Sequence, residues 1–175
     1  RVLEADGYEL GSDGIYQKTI EGFGVDRLGG QNYRMTIAGG STDHPAYAMF
    51  LQAAKILNSI GMEVKVVTSQ TALADVSTGK LSIWAAAWSS TIDPDMYQVY
   101  HMDSQASSTL NWGYKQIKAG KNTAAYSDEY TLITALSELI DEGRSTTDQE
   151  TRKAIYREAL DKIMELAVEM PTYQR

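Results

Sequence analysis

Trp88 closes a nearly continuous apolar run that begins at Leu81, and it feeds directly into Ser89-Ser90-Thr91-Ile92-Asp93-Pro94-Asp95-Met96-Tyr97. This stretch combines an aromatic wall, the hydroxyls of Ser89, Ser90 and Thr91, and the carboxylates of Asp93 and Asp95. Such a mix suits a ligand with an apolar body and a cationic or hydrogen-bond-donating group. The plainer reading is that Trp88 belongs to a core and that Pro94 and Asp95 start a helix; residue types alone do not choose between them. Asn111-Trp112-Gly113-Tyr114, an aromatic pair around a glycine, is a second candidate ligand surface, with a packed loop as its alternative. Asp43-His44 follows Gly39-Gly40 and precedes a helix start, a place where anions bind readily. A helix cap is the simpler account of those two residues.

Residues for catalysis are sparse. The chain has 2 histidines, His44 and His101, with no HExxH, no metal-ligand spacing and no GxSxG. Asp93 and Asp95 could serve as a carboxylate pair for glycoside hydrolysis, but neighbours around a proline need not face one cavity. The glycines between Gly22 and Gly30 do not form a phosphate-binding loop. The expectation is a binding domain rather than an enzyme, without cofactor or metal; a carboxylate-dependent hydrolase built on Asp93 and Asp95 is the alternative.

Composition narrows the partners. The 175 residues allow a sizeable core, and 43% apolar with 22% charged residues is ordinary for a globular protein. A net charge of −7 argues against nucleic acid, which needs a basic track, and against adhesion to an anionic membrane surface. The absence of cysteine excludes disulfides and thiolate metal sites. No apolar run approaches the length of a membrane span.

The elements that must position the candidate residues follow from periodicity. Arg1 to Ala5 reads as the end of a helix stopped by Gly7, and Ile15 to Ile20 and Tyr33 to Ala38 alternate as strands do. The glycine-rich stretch Glu21 to Gln31 reads as a loop. Pro45 opens a helix, capped by His44 or Asp43, in which Ala46, Met49, Phe50, Ala53, Leu57 and Ile60 recur at helical spacing until Gly61. A strand over Met62 to Thr68, a short helix over Thr71 to Ser77 and the apolar strand Leu81 to Trp88 come next. Strand and helix alternate in lengths that call for crossover connections and a mainly parallel sheet. Ser89 to Ala125 is polar, aromatic and irregular. Behind it, Ser127 caps a helix that Gly143 stops, and Thr147 with Glu150 forms a capping box for a last helix that Pro171 ends. The expected fold class is therefore α/β: a mainly parallel sheet with crossover helices and a helical C-terminal flank, residues 1–175 forming one ligand-binding lobe. The first residues read like the tail of a helix and Pro171-Thr172-Tyr173 like the start of a strand, so a segment excised from a larger protein is expected.

Several of these features together resemble the family 5 extracellular solute-binding proteins, the dipeptide, oligopeptide and nickel-binding components of ABC importers. The residues that carry the likeness are Glu4-Ala5-Asp6-Gly7-Tyr8, Leu57 to Val64, Gly79-Lys80-Leu81, the strand to Trp88, Asp93-Pro94-Asp95, Tyr126 to Glu129, Arg152 with Tyr156, and Met170 to Tyr173. The resemblance implies one lobe of a class II periplasmic-binding-protein-like fold, with a first lobe of the same protein and ABC permease subunits as partners. It implies a small or peptide ligand enclosed by hinge closure, and a full-length protein outside the cytoplasmic membrane, anchored as a lipoprotein. It implies that Trp88 lines the ligand site. Where peptide-binding relatives place an aspartate for the ligand's ammonium, Thr91 stands here, and Asp93 is the nearest carboxylate. A nickel chelate or an oligosaccharide is the alternative ligand to a peptide.

Overall fold

The computed structural model describes residues 1–39, 41–85 and 91–172, and the chain divides into two compact units, Arg1–Ser89 and Ser90–Arg175.

The first unit opens with one helical turn, α1 (Val2–Ala5), which Gly7 ends at φ 86°. Three short strands follow, β1 (Glu9–Leu10), β2 (Tyr16–Ile20) and β3 (Gly24–Arg27), forming an antiparallel sheet in that order. The sequence reads Glu21 to Gln31 as loop; β3 and the start of the next strand occupy most of it instead. Ile20 pairs with Gly24 across the hairpin, and Gly22 (φ 78°) and Gly24 (φ 110°) take the left-handed backbone that so tight a reversal needs. Glycine content thus marked the turn and masked the strand beyond it. Arg27 ties this sheet to its neighbour, with Nη2 3.0 Å from Asp13 and Nη1 3.1 Å from Glu63.

The second sheet is parallel, as the alternation of elements requires. It contains β4 (Gly29–Ala38), β5 (Glu63–Ser69) and β6 (Ile83–Trp84) in the order β5-β4-β6. The connections are α2 (Pro45–Ser59) and α3 (Ala72–Ser77). Pro45 sits in the first turn of α2, and His44 is the cap: its Nδ1 accepts from the Ala46 amide at 3.1 Å. That ring nitrogen is engaged by the helix, so the cap reading of Asp43-His44 holds. The strands alternate sides, and α2 packs Phe50, Ala53, Ala54 and Leu57 on the face carrying Tyr33, Met35, Val64 and Val66. Ile37, further along β4, is fully buried. Burying about six such side chains is worth roughly 1.5–3 kcal/mol each before conformational entropy is set against it. The chain steps from β4 out to β5, then back past β4 to β6. Right-handed connections place α2 and α3 on opposite faces of such a sheet, and strand order reverses between β4 and β6. Of the apolar run Leu81 to Trp88, only Ile83–Trp84 is strand among the described residues.

The second unit is helical. The stretch the sequence leaves irregular, Ser89 to Ala125, contains α4 (Tyr97–Tyr100), α5 (Ser107–Thr109), a turn over Leu110–Tyr114 kinked at Gly113 and α6 (Lys115–Ala119). These turns are too short to show a period. Buried hydroxyls fasten them: Ser104 Oγ donates to the Gln98 carbonyl at 2.5 Å, and Thr109 Oγ1 lies 2.8 Å from that of Val99. Two long helices follow, α7 (Ser127–Ser145) and α8 (Gln149–Leu166). Leu136 and Ile140 of α7 meet Ala159 and Ile163 of α8, with Met96, Tyr97 and Tyr100 packed against them.

Four expected helix signals move. Ser127 is the first residue of α7 rather than its cap; its hydroxyl points to Asp128, and acidic Asp128 and Glu129 complement the helix dipole there. Gly143 does not stop α7, because it lies inside the helix under the Tyr156 ring. The Thr147–Glu150 capping box is replaced by Asp148, whose carboxylate accepts from the Thr151 amide at 2.8 Å. Ala167, left-handed at φ 53°, ends α8 before Pro171 is reached.

Candidate functional site

The loop 91–96 is the described part of the first candidate; Trp88 and Ser89 lie outside the described residues. Thr91 is exposed, and its hydroxyl donates to the Asp93 carbonyl at 2.6 Å, closing a tight turn. Asp93 Oδ1 meets Arg152 Nη2 of α8 at 2.7 Å, and the same nitrogen reaches the Tyr156 hydroxyl at 3.1 Å. Asp95 Oδ1 accepts from the Tyr97 amide at 3.0 Å, and its Oδ2 lies 3.3 Å from Arg144 Nε of α7. The Arg144 guanidinium in turn sits 4.3 Å over the Tyr97 ring, which stacks on His101 at 4.2 Å. His101 is buried; its Nδ1 accepts from the Asp103 amide, so Nε2 carries the proton toward Asp141 at 3.3 Å.

The two aspartates therefore face two different helices, each matched to an arginine. A hydrolase pair needs both carboxyls on one cleft with a water or a scissile bond between them. In this loop each carboxylate is instead engaged by an arginine, Asp93 by Arg152 and Asp95 by Arg144. No local spacing in the sequence links Arg144 and Arg152 to these aspartates; the Asp93–Arg152 contact spans 59 residues.

The second candidate, Asn111-Trp112-Gly113-Tyr114, forms a kinked turn between two helical pieces, with the kink at Gly113, φ 111°. Only part of it can meet a ligand. Asn111 and Trp112 are half-buried, and Trp112 lies 6.2 Å from Tyr100, ring centre to ring centre. Tyr114 is different: it is fully buried with Ile117 and Ile133, and its hydroxyl donates to the Tyr100 carbonyl at 2.9 Å. Tyr114 is a core residue rather than a ligand contact, because packing has taken its whole surface. Burial pushes its phenol well above the usual range. Tyr100 is raised likewise, by burial first and then by its hydrogen bond to Glu169.

In the first unit, a polar cleft of about 260 Å³ lies on the sheet face opposite α2, lined by Arg34, Thr36, Val67, Thr68, Lys80 and Ser82 among others. Lys80 is 3.6 Å from Asp75 there. The lining runs along the strand face from Gln31 of β4 to Ser69 at the carboxyl end of β5. Among the described residues no group of three or more His, Asp or Glu side chains gathers to hold a metal, and no helix is long and apolar enough to cross a membrane.

The oligopeptide-binding protein AppA from Bacillus subtilis, solved with a nonapeptide, superposes on 95% of the chain at TM-score 0.68 and 19% identity. NikZ from Campylobacter jejuni, in complex with Ni(L-His), superposes on 95% at TM-score 0.64 and 19% identity. NikA from Brucella suis, in complex with Fe(III)-EDTA, superposes on 96% at TM-score 0.60 and 19% identity. The chain has the fold of one lobe of the periplasmic-binding-protein-like class. The chain spans under a third of the length of these proteins, 29% of AppA and NikZ and 30% of NikA. No family model and no curated protein matches the chain.

Proposed function

We propose that this chain is the ligand-binding lobe of a family 5 extracellular solute-binding protein that delivers an oligopeptide to an ABC importer. The observation that carries the reading is the match to AppA over 95% of the chain, the highest TM-score of those described, 0.68. The sequence resemblance supports it independently, through the ordered series from Glu4-Ala5-Asp6-Gly7 to Met170-Pro171-Thr172. In this reading residues 1–175 form a single lobe, the ligand is enclosed when a first lobe closes over it, and the closed form docks on the permease. The parent protein works outside the cytoplasmic membrane, held there by a lipid anchor. Trp88, Ser89, Thr91, Asn111 and Trp112 are the proposed ligand-facing residues.

Calorimetric titration of the full-length protein with a panel of two- to nine-residue peptides tests this. Saturable heat with peptides of mixed sequence is expected, since strand-end backbone groups pair with a peptide main chain whatever its side chains. Heat only with sugars ends the peptide assignment. A second reading, a nickel chelate, is favoured by the match to NikZ at TM-score 0.64; heat with nickel–histidine and none with peptides selects it. The 175-residue chain alone should bind at least about a hundredfold more weakly than the intact protein, because half the contacts must offset an ordering cost of several kcal/mol.

A further inference from the structure

Asp93 and Asp95 are the acidic groups of the loop 91–96, and each is held from within its own unit. Asp93 reaches Arg152, and through it Tyr156, which is buried against Gly143 of α7. Asp95 binds both the first amide of α4 and Arg144, and Arg144 lies over the Tyr97 ring. One aspartate thus ties the loop to α8 and the other ties it to α7. A carboxylate paired with a guanidinium at 2.7 Å presents a dipole to its surroundings rather than a bare charge, so a ligand cation gains little from it. The polar groups of the loop that carry no counter-ion are the Thr91 side chain and the backbone, beside the exposed apolar side chain of Ile92.

We infer that Asp93 and Asp95 are positioning residues that latch the loop 91–96 to α8 and α7, and that this edge meets its ligand through uncharged groups. The inference rests on the proposed binding function and narrows its substrate class. The ligand end at this loop needs no positive charge, so peptides with a blocked amino terminus are accepted as well as those with a free one.

The test uses the full-length protein and two readouts. The first, hydrogen exchange at the Tyr97 to His101 amides, needs no ligand. Asp93→Asn, Arg152→Met, Asp95→Asn and Arg144→Met should each speed exchange by about two- to fivefold, the range for partly exposed ion pairs. Each matched double variant should do no more than its singles, and the reversed pair Asp93→Arg with Arg152→Asp should restore much of the protection. Unchanged exchange in the single variants overturns the latch. The second readout is the affinity for trialanine against N-acetyl-trialanine. The wild-type ratio should lie within about threefold of one and stay there in Asp93→Asn. A tenfold loss confined to free trialanine in Asp93→Asn overturns the inference, because it shows the carboxylate meeting the ammonium directly. Should neither peptide bind the wild type, the peptide reading falls, and the exchange data alone decide the latch.

Discussion

Gly143 of α7 cedes its side-chain space to the ring of Tyr156 on α8. A Cβ built at position 143 would stand 2.2 Å from Tyr156 Cε1 and 2.8 Å from Cδ1, and the ring is buried. Elsewhere in a helix, replacing glycine by alanine gains about 1 kcal/mol of propensity. Here the methyl must displace a packed ring, at a cost of roughly 1–3 kcal/mol or more, so the net sign reverses. Gly143→Ala should therefore lower the urea midpoint. On a Tyr156→Leu background the same substitution should cost less or turn favourable. Equal effects on both backgrounds would show that the ring is not what excludes the methyl.

Asn58, near the end of α2, acts as a backbone substitute for Val64 of β5. Its Nδ2 donates to the Val64 carbonyl at 3.0 Å and its Oδ1 accepts from the Val64 amide at 2.7 Å. Val64 is 3% exposed, so both groups lose their partners in Asn58→Ala, at about 1–3 kcal/mol by chemical denaturation. Asn58→Asp should separate the two bonds. The carboxylate keeps the amide but sets a lone pair against the carbonyl, whereas the protonated acid donates to it. The deficit of Asn58→Asp relative to wild type should shrink between pH 7 and pH 3, and a pH-independent deficit would refute the two-bond account.

Much of the framework was legible because it depends on period and punctuation. The spacing from Ala46 to Ile60 marked α2, and alternating lengths of strand and helix required the parallel β4, β5 and β6. What the chain hid was context. Gly22 and Gly24 serve a hairpin, so a glycine-rich stretch reads as loop; Gly143 serves a close approach, so an interior glycine reads as a stop. The capping residue shifted by one because Thr147 and Asp148 are both good caps, and the carboxylate won with two donors from Thr151. At the candidate site, residue types pointed to Asp93 and Asp95, but their arginines lie on helices far along the chain. Tyr114 is indistinguishable by type from a ligand-facing aromatic until its burial is known.

Asp148 makes the start of α8 sensitive to acid. The Thr151 hydroxyl and amide donate to its Oδ2 at 2.6 Å and 2.8 Å, and these bonds, the hydroxyl's first, hold the carboxyl below its ordinary value of 3.8. A carboxyl with a lowered value in the folded state stabilises that state fully above its unfolded value and loses the contribution as pH falls through the folded one. Asp148→Asn should thus be less stable than wild type near neutrality, and the gap should close as pH drops below about 4. Thermal melts of both proteins from pH 7 to pH 2.5 measure it. A gap that widens on acidification would contradict the sign.

Tyr114 separates a packing role from a binding role. Its hydroxyl donates to the Tyr100 carbonyl, and the side chain has no exposed surface. Tyr114→Phe keeps the ring and leaves that carbonyl without its donor, which costs about 1 kcal/mol or somewhat more in a buried setting. Tyr114→Ala removes the ring and opens a cavity beside Ile117 and Ile133, at about 3–5 kcal/mol. A ligand contact would behave otherwise: Tyr114→Phe would weaken ligand binding and leave the melting temperature in place. The expected result is a lowered melting temperature with ligand affinity within about twofold of wild type, whereas Trp112→Ala, at a half-buried position in the same turn, should weaken binding by more than its effect on stability explains.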